Sequence, residues 1–189
     1  GEGSRDQAAA RLMAYREPER FSALIDAIVD VTVDYLAGQV AAGIHAVQIF
    51  DSWSGSLSPQ EFDRWVIAPT RAIVERLKAR TAVPIIGFPK GAGGNLPRYA
   101  RETRVDAVGL DETVDLAWAD EALPKGLPVQ GNLDPLLLLA GGDALPAAVR
   151  RIREALGARP HVFNLGHGID KETPIAHVEA ALAAIRKPL

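Results

Sequence analysis

The sequence contains no cysteine. Disulfides, thiolate metal sites and a cysteine nucleophile are therefore excluded within these residues. Long hydrophobic runs are missing too. The longest apolar stretches have strand length, well short of the roughly 20 residues a membrane-spanning helix needs. The first residues carry no secretory-type apolar segment. Neither charge sign dominates: 21 Lys and Arg stand against 24 Asp and Glu, a net charge of -3. Bulk charge therefore gives no support to a nucleic-acid partner. Internal repeats, low-complexity tracts and linkers are absent. There is no initiating methionine: the chain begins "GEGSRD" at Gly1, as a processed end or the interior of a longer protein would. The expectation is a cytoplasmic protein with no membrane and no nucleic-acid partner.

What is present is ordinary globular material, 189 residues with 48% hydrophobic and 24% charged, enough for one domain with a sizeable core. The opening segment, 1–44, reads as helical. "SRDQAAARLMAYR" is a short helix with Ser4 as N-cap. "EPERFSALIDAIVDVTVDYLAGQVAAG" follows, with Pro18 in its first turn and Gly43 as its stop. Phe21, Leu24, Ile25, Ile28, Val29, Tyr35, Leu36 and Val40 recur near helical spacing.

From His45 the pattern alternates. Strands are expected at 45–51, 82–88, 106–111, 127–133 and 161–166. Helices are expected at 59–79, bent at Pro69, and at 96–103, 115–123, 144–157 and 174–187. Strands that alternate with helices and are almost continuously apolar belong to a parallel sheet with crossover helices. Two architectures fit, an open doubly wound sheet or part of a (β/α)8 barrel. Each unit takes about 29 residues, and eight would need roughly 230. Five units fit in 45–189, so the expectation is a single incomplete-barrel domain over 1–189.

Polar residues gather where the strands end: Asp51, Ser52 and Trp53; Lys90 and "GAGGN"; Asp111; Gln130, Asn132 and Asp134; Asn164 and His167. In a parallel sheet these ends share one side, where α/β proteins build their sites. Each residue also has a plainer reading. Asp51 and Asp111 can cap the helices that follow them. Gln130 and Asn132 can satisfy buried backbone groups. Lys90 can be a solvated rim charge or an anion ligand. "GAGGN" departs from the dinucleotide fingerprint at Leu96 and lacks the Walker ending. His45, His161, His167 and His177 show no metal-ligand spacing, and no metal is expected. His177 reads as structural, and Trp53, Trp65 and Trp118 as packing residues. No nucleophile elbow surrounds Ser52.

The segments "AGIHAVQIFDSWSGSLSP", "LPVQGNLDP" and "VFNLGHGI", with "GLDETVDLAWA" between them, resemble the uroporphyrinogen decarboxylase family. The likeness runs in order through almost the whole chain. It implies a (β/α)8 barrel, usually a homodimer, that decarboxylates the four acetate side chains of uroporphyrinogen to give coproporphyrinogen without metal or organic cofactor. Ser52 falls at the family's substrate-contacting Ser/Thr position and His167 at its substrate-contacting histidine. Lys90 matches a family lysine, and with Asp51 is a further candidate for substrate binding. The N-terminal barrel units, which bring an Arg-rich segment, an aspartate for the pyrrole N–H groups and a tyrosine, do not correspond to any part of this chain. No catalytic residue is therefore assigned within it. A five-strand piece would expose two sheet edges and should associate unless the N-terminal half covers them. The alternatives are a methyltransferase of the same superfamily, whose zinc would need cysteine, and a non-catalytic tetrapyrrole-binding remnant. An open-sheet nucleotide binder lacks a phosphate fingerprint.

Overall fold

The structure, a computed structural model, describes residues 6–188. The expected N-cap Ser4 lies outside them. Helix α1 covers Ala8–Arg16 and α2 covers Pro18–Ala41, with Pro18 at its first turn. Gly43 follows at φ 97°. No helix of the described residues is long and apolar enough to cross a membrane.

Five strands follow: β1 Val47–Asp51, β2 Ile85–Pro89, β3 Ala107–Gly109, β4 Val129–Leu133 and β5 His161–Leu165. They form one sheet in the order β1-β2-β3-β4-β5, parallel at every pairing. Spatial order equal to chain order decides between the two architectures. A doubly wound sheet reverses direction at a switch point. Here every crossover steps the same way, and right-handed crossovers then put all helices on one face. This is the winding of a (β/α)8 barrel, and five of its eight units are present. β1 and β5 have no outer neighbour among the described residues.

The two faces differ in burial. Toward the helices, Val47, Ile85, Val108 and Val129 are at most 4% exposed, and each such side chain contributes about 1.5–3 kcal/mol of transfer free energy. On the opposite face Phe50 is 67% and Val162 52% exposed. The helices that cover the first face are α3 Pro59–Phe62, α4 Ala68–Lys78, α5 Leu96–Glu102, α6 Leu116–Ala122, α7 Pro135–Ala140, α8 Ala144–Leu156 and α9 Ile175–Arg186. Leu145, Val149, Ile152 and Leu156 give α8 a buried stripe at helical spacing.

Four expectations change. The single bent helix at 59–79 is instead α3 and α4 joined by a π-helical turn over Asp63–Ile67. Pro69 has no N–H to donate back one turn, and the wider turn absorbs the break. Every strand is shorter than expected: β1 and β4 begin at Val47 and Val129, β2 runs from Ile85 to Pro89, β3 covers Ala107–Gly109 alone and β5 ends at Leu165. Helix α7 was not expected; Asp134 caps it, its carboxylate accepting the Leu136 N–H at 2.8 Å. Trp53 is not a packing residue but stands 70% exposed, on the 3-10 turn Ser54–Ser56 that follows β1.

Candidate functional site

Because the strands are parallel, their C-terminal ends converge, and the loops that leave them are tied to one another. The loop after β1 is pinned to the start of the loop after β2. Gly55 N–H and Ser54 Oγ both donate to the Lys90 carbonyl, at 3.1 and 2.8 Å, and the Lys90 N–H donates to the Asp51 carbonyl at 3.0 Å.

The next tie is Asp111, at 2% exposure. Its carboxylate accepts the Gly91 N–H at 2.8 Å and the Thr113 N–H at 2.9 Å, and it also takes the Thr113 hydroxyl. Asp111 is thus a structural carboxylate that joins two loops; it does not cap a helix, since the N-cap of the following helix α6 is Asp115, whose carboxylate accepts the Trp118 N–H. Asn132 Nδ2 donates to the Asp111 and Val114 carbonyls, both at 3.0 Å, fastening β4 to the same loop. For Asn132 the plainer reading of the sequence holds, since it satisfies backbone carbonyls; Gln130 pairs instead with a side chain, that of Gln48. Finally Gly166 presses on that loop from β5: a Cβ there would overlap the backbone of Asp111 and Glu112. Only glycine permits this approach, and it explains the glycine before His167.

Inside this rim the open face of the sheet forms a cavity. Gln48, Phe50, Phe88, Leu110, Gln130, Asn164, His167 and Ile169 line it. Gln130 Nε2 donates to Gln48 Oε1 at 3.0 Å. The His167 ring sits 6.2 Å from that of Phe88 and is exposed to solvent. An apolar, aromatic wall with amides below and an imidazole at the lip can hold a flat ring and meet an acidic substituent at its edge.

The four residues singled out from the sequence are distributed as follows. His167 lines the cavity. Ser52 is half-buried at the end of β1. Lys90 stands at the end of β2 with its ammonium 3.3 Å from Glu112 Oε1. Asp51 faces the other way. It lines a separate cavity with Arg11, Glu61 and Trp65 on the helix side of β1, since it alternates with the inward Phe50. Burial raises the Asp51 pKa above its usual 3.8, while the backbone N–H groups of Trp53 and Ser54 pull it back down.

The histidines divide by position. His161 hydrogen-bonds the Gly131 carbonyl through Nε2 at 2.7 Å, so that nitrogen carries the proton. His177 Nδ1 lies 3.1 Å from the carbonyls of Leu138 and Leu139, a structural role. No cluster of metal-ligating side chains occurs among the described residues. Sequence reasoning missed Gln48, Phe50, Phe88 and Glu112. The alternation along β1 separates Gln48 and Phe50 from Val47 and Ile49, but it does not say which set faces the helices.

Compared with known proteins, residues 1–188 match the family described as uroporphyrinogen decarboxylase. A uroporphyrinogen decarboxylase of Rhizorhabdus wittichii is 66% identical over 187 residues, covering 98% of this chain and 54% of that protein. One from Sphingopyxis alaskensis is 64% identical, covering 98% and 55%. The chain thus spans about half the length of the curated relatives it matches. Among solved structures, a methyltransferase from Methanosarcina mazei superposes with a TM-score of 0.83 at 17% identity, over 94% of this chain and 52% of that one. That likeness speaks for the fold alone.

Proposed function

The chain belongs to the uroporphyrinogen decarboxylase family, and from that premise we propose that the protein carrying it converts uroporphyrinogen to coproporphyrinogen. Each step turns a pyrrole acetate into a methyl group. The bond between methylene and carboxylate breaks, carbon dioxide leaves and a proton takes its place. Protonation of a pyrrole ring carbon makes the ring itself the sink for the electrons of that bond, and the ring proton is released afterwards. No cofactor is required by this chemistry.

Residues of this chain serve binding and orientation in that scheme. The imidazole of His167 and the hydroxyl of Ser52 donate hydrogen bonds to substrate carboxylates, and Lys90 supplies a positive charge beside them. Charge-assisted contacts of this kind hold a substrate in the reactive pose. The exposed ring of Phe50, backed by the buried ring of Phe88, offers a surface for a pyrrole ring. The carboxylate that stabilises the cationic ring belongs to N-terminal barrel units. Those units would join at the free edges of β1 and β5 and cover the apolar stripe of Leu24, Ile28, Val31 and Tyr35 on α2, each between 49% and 69% exposed. The single domain 1–189 then becomes the C-terminal part of a closed barrel, in a cytoplasmic homodimer.

The observation that carries this reading is identity of 66% maintained over 98% of the chain, which spans every strand-end loop described above. The test is to incubate the protein, made at its full encoded length, with uroporphyrinogen under anaerobic conditions and to separate the oxidised products. Stepwise appearance of partly decarboxylated porphyrins ending in coproporphyrin is expected. A folded protein that binds the tetrapyrrole and leaves all its carboxylates in place would overturn catalysis in favour of a binding remnant.

A further inference from the structure

Lys90 and Glu112 form an unusual ion pair. Among the described residues it is the only pair in which both side chains are less than a third exposed, at 29% and 23%. The surface pairs Arg76–Asp30 and Arg80–Asp34 close to 2.6 and 2.7 Å. Lys90 Nζ stays 3.3 Å from Glu112 Oε1, longer than the 2.7–2.9 Å of a fully formed charge-assisted hydrogen bond. The other carboxylate oxygen, Oε2, is enclosed and has no hydrogen-bond donor. An ammonium has three N–H donors, and no hydrogen bond to a further partner occupies those of Lys90 among the described residues. Each group therefore has unused capacity in a partly desolvated place.

Their backbones cannot shift to improve the contact. Lys90 is held through its N–H and its carbonyl to the loop after β1. Glu112 follows the anchored Asp111 and lies against Gly166, the residue before His167. Only the side chains can move, and the four-carbon stem of lysine moves readily.

We infer that Glu112 is a built-in competitor for the ligand: it neutralises Lys90 while the site is empty and yields it to a carboxylate of the bound molecule. This rests on the polycarboxylate reading of the site and adds a selectivity element to it. A ligand that brings a carboxylate to Lys90 exchanges one anion for another there. A neutral ring of the same shape leaves the original pair in place and gains nothing from it. Glu112 acts through Lys90 and is a positioning residue.

The test uses the full-length protein, with uroporphyrin, the stable oxidised ring, as binding probe and uroporphyrinogen as substrate. Glu112→Gln keeps the shape and removes the charge. It should tighten uroporphyrin binding about 5-fold, and lower KM rather than raise kcat. It should also speed acylation of the Lys90 amine by a small amine-reactive reagent, with uroporphyrin protecting it. In a Lys90→Met background the same substitution should have no effect on binding. Unchanged or weaker binding by Glu112→Gln overturns the inference. So does equal tightening without Lys90, which would mean direct repulsion of the ligand. The amine reactivity is read independently of affinity, and an unaltered rate also counts against it. If the unsubstituted protein does not bind uroporphyrin at all, the polycarboxylate reading itself falls, and the inference with it.

Discussion

Gln48 on β1 and Gln130 on β4 share a hydrogen bond of 3.0 Å although β2 and β3 lie between their strands. Neighbouring strands sit about 4.8 Å apart, so a flat sheet would separate these two by roughly 14 Å with their side chains side by side. Contact requires the sheet to curl until side chains on one face converge. The pair is a chord across the interior of a barrel, and it forms the floor of the cavity that His167 overlooks.

That chord can be broken from either end. Gln130→Leu, and likewise Gln48→Leu, leaves the other amide without its partner and should cost about 1–3 kcal/mol. Replacing both glutamines with leucine should cost less than the sum of the single changes, because no orphaned amide remains. Urea unfolding of the four proteins in the cycle measures the coupling. Strict additivity would show that the bond contributes nothing.

Gly166 is expected to tolerate no side chain. The atoms a Cβ would meet are the backbone of Asp111 and Glu112, which the Asp111 hydrogen bonds hold in place. Gly166→Ala should destabilise by about 1–3 kcal/mol through overpacking, and should weaken uroporphyrin binding because His167 is displaced. A urea midpoint equal to that of the parent would contradict the close packing of these loops.

His167→Ala removes a donor that makes no hydrogen bond within the described residues, so the fold should survive with its thermal midpoint nearly unchanged. Loss of a hydrogen bond to a charged group is worth about 1.5–3 kcal/mol, or roughly a 10- to 100-fold fall in kcat/KM. Steady-state kinetics on uroporphyrinogen that match the parent would remove His167 from the site.

The stability of the fold should also respond to pH through His161. Burial holds its pKa below the usual 6.5, opposed by the hydrogen bond to the Gly131 carbonyl. The folded state therefore favours neutral imidazole, and the unfolded state binds the extra proton first. The contribution is complete above 6.5 and is lost as the pH falls through the lower, folded-state pKa. His161→Gln retains an N–H for Gly131 and does not titrate. Between about pH 7 and about pH 5 the parent should lose more unfolding free energy than this variant. Parallel slopes for the two would rule the effect out.

Much of this architecture is legible in local pattern. Helices α2, α8 and α9 follow from apolar residues at helical spacing, and the five strands from short apolar runs between turn residues. Pro18 and Gly43 delimit α2 by their own backbone restrictions. Helix α7 escaped notice although its signal is local: Asp134 as cap and Pro135 in the first turn. Four leucines in succession there show no helical period, and Asp134 follows β4 directly, so by pattern it reads as one more polar strand end. The π-helical turn before Pro69 was legible only as a bend, since its geometry depends on how α3 and α4 pack.

The motifs at the strand ends, and the resemblance they carry, were determined by the sequence alone, because the chemistry of "DSWSG", "QGNLDP" and "NLGHG" resides in residue identity and spacing. The tertiary structure alone decided which way each side chain points. Asp51 and Ser52 are neighbours in the chain, yet the pleat of β1 turns the Asp51 carboxylate to the helices, and only the curl of the sheet shows which face is the interior. Likewise no spacing announces that Lys90 meets Glu112 or Gln48 meets Gln130. These partners come from different strands or from the loops that leave them, and they are brought together by winding and curvature, which are properties of the whole sheet rather than of any one segment.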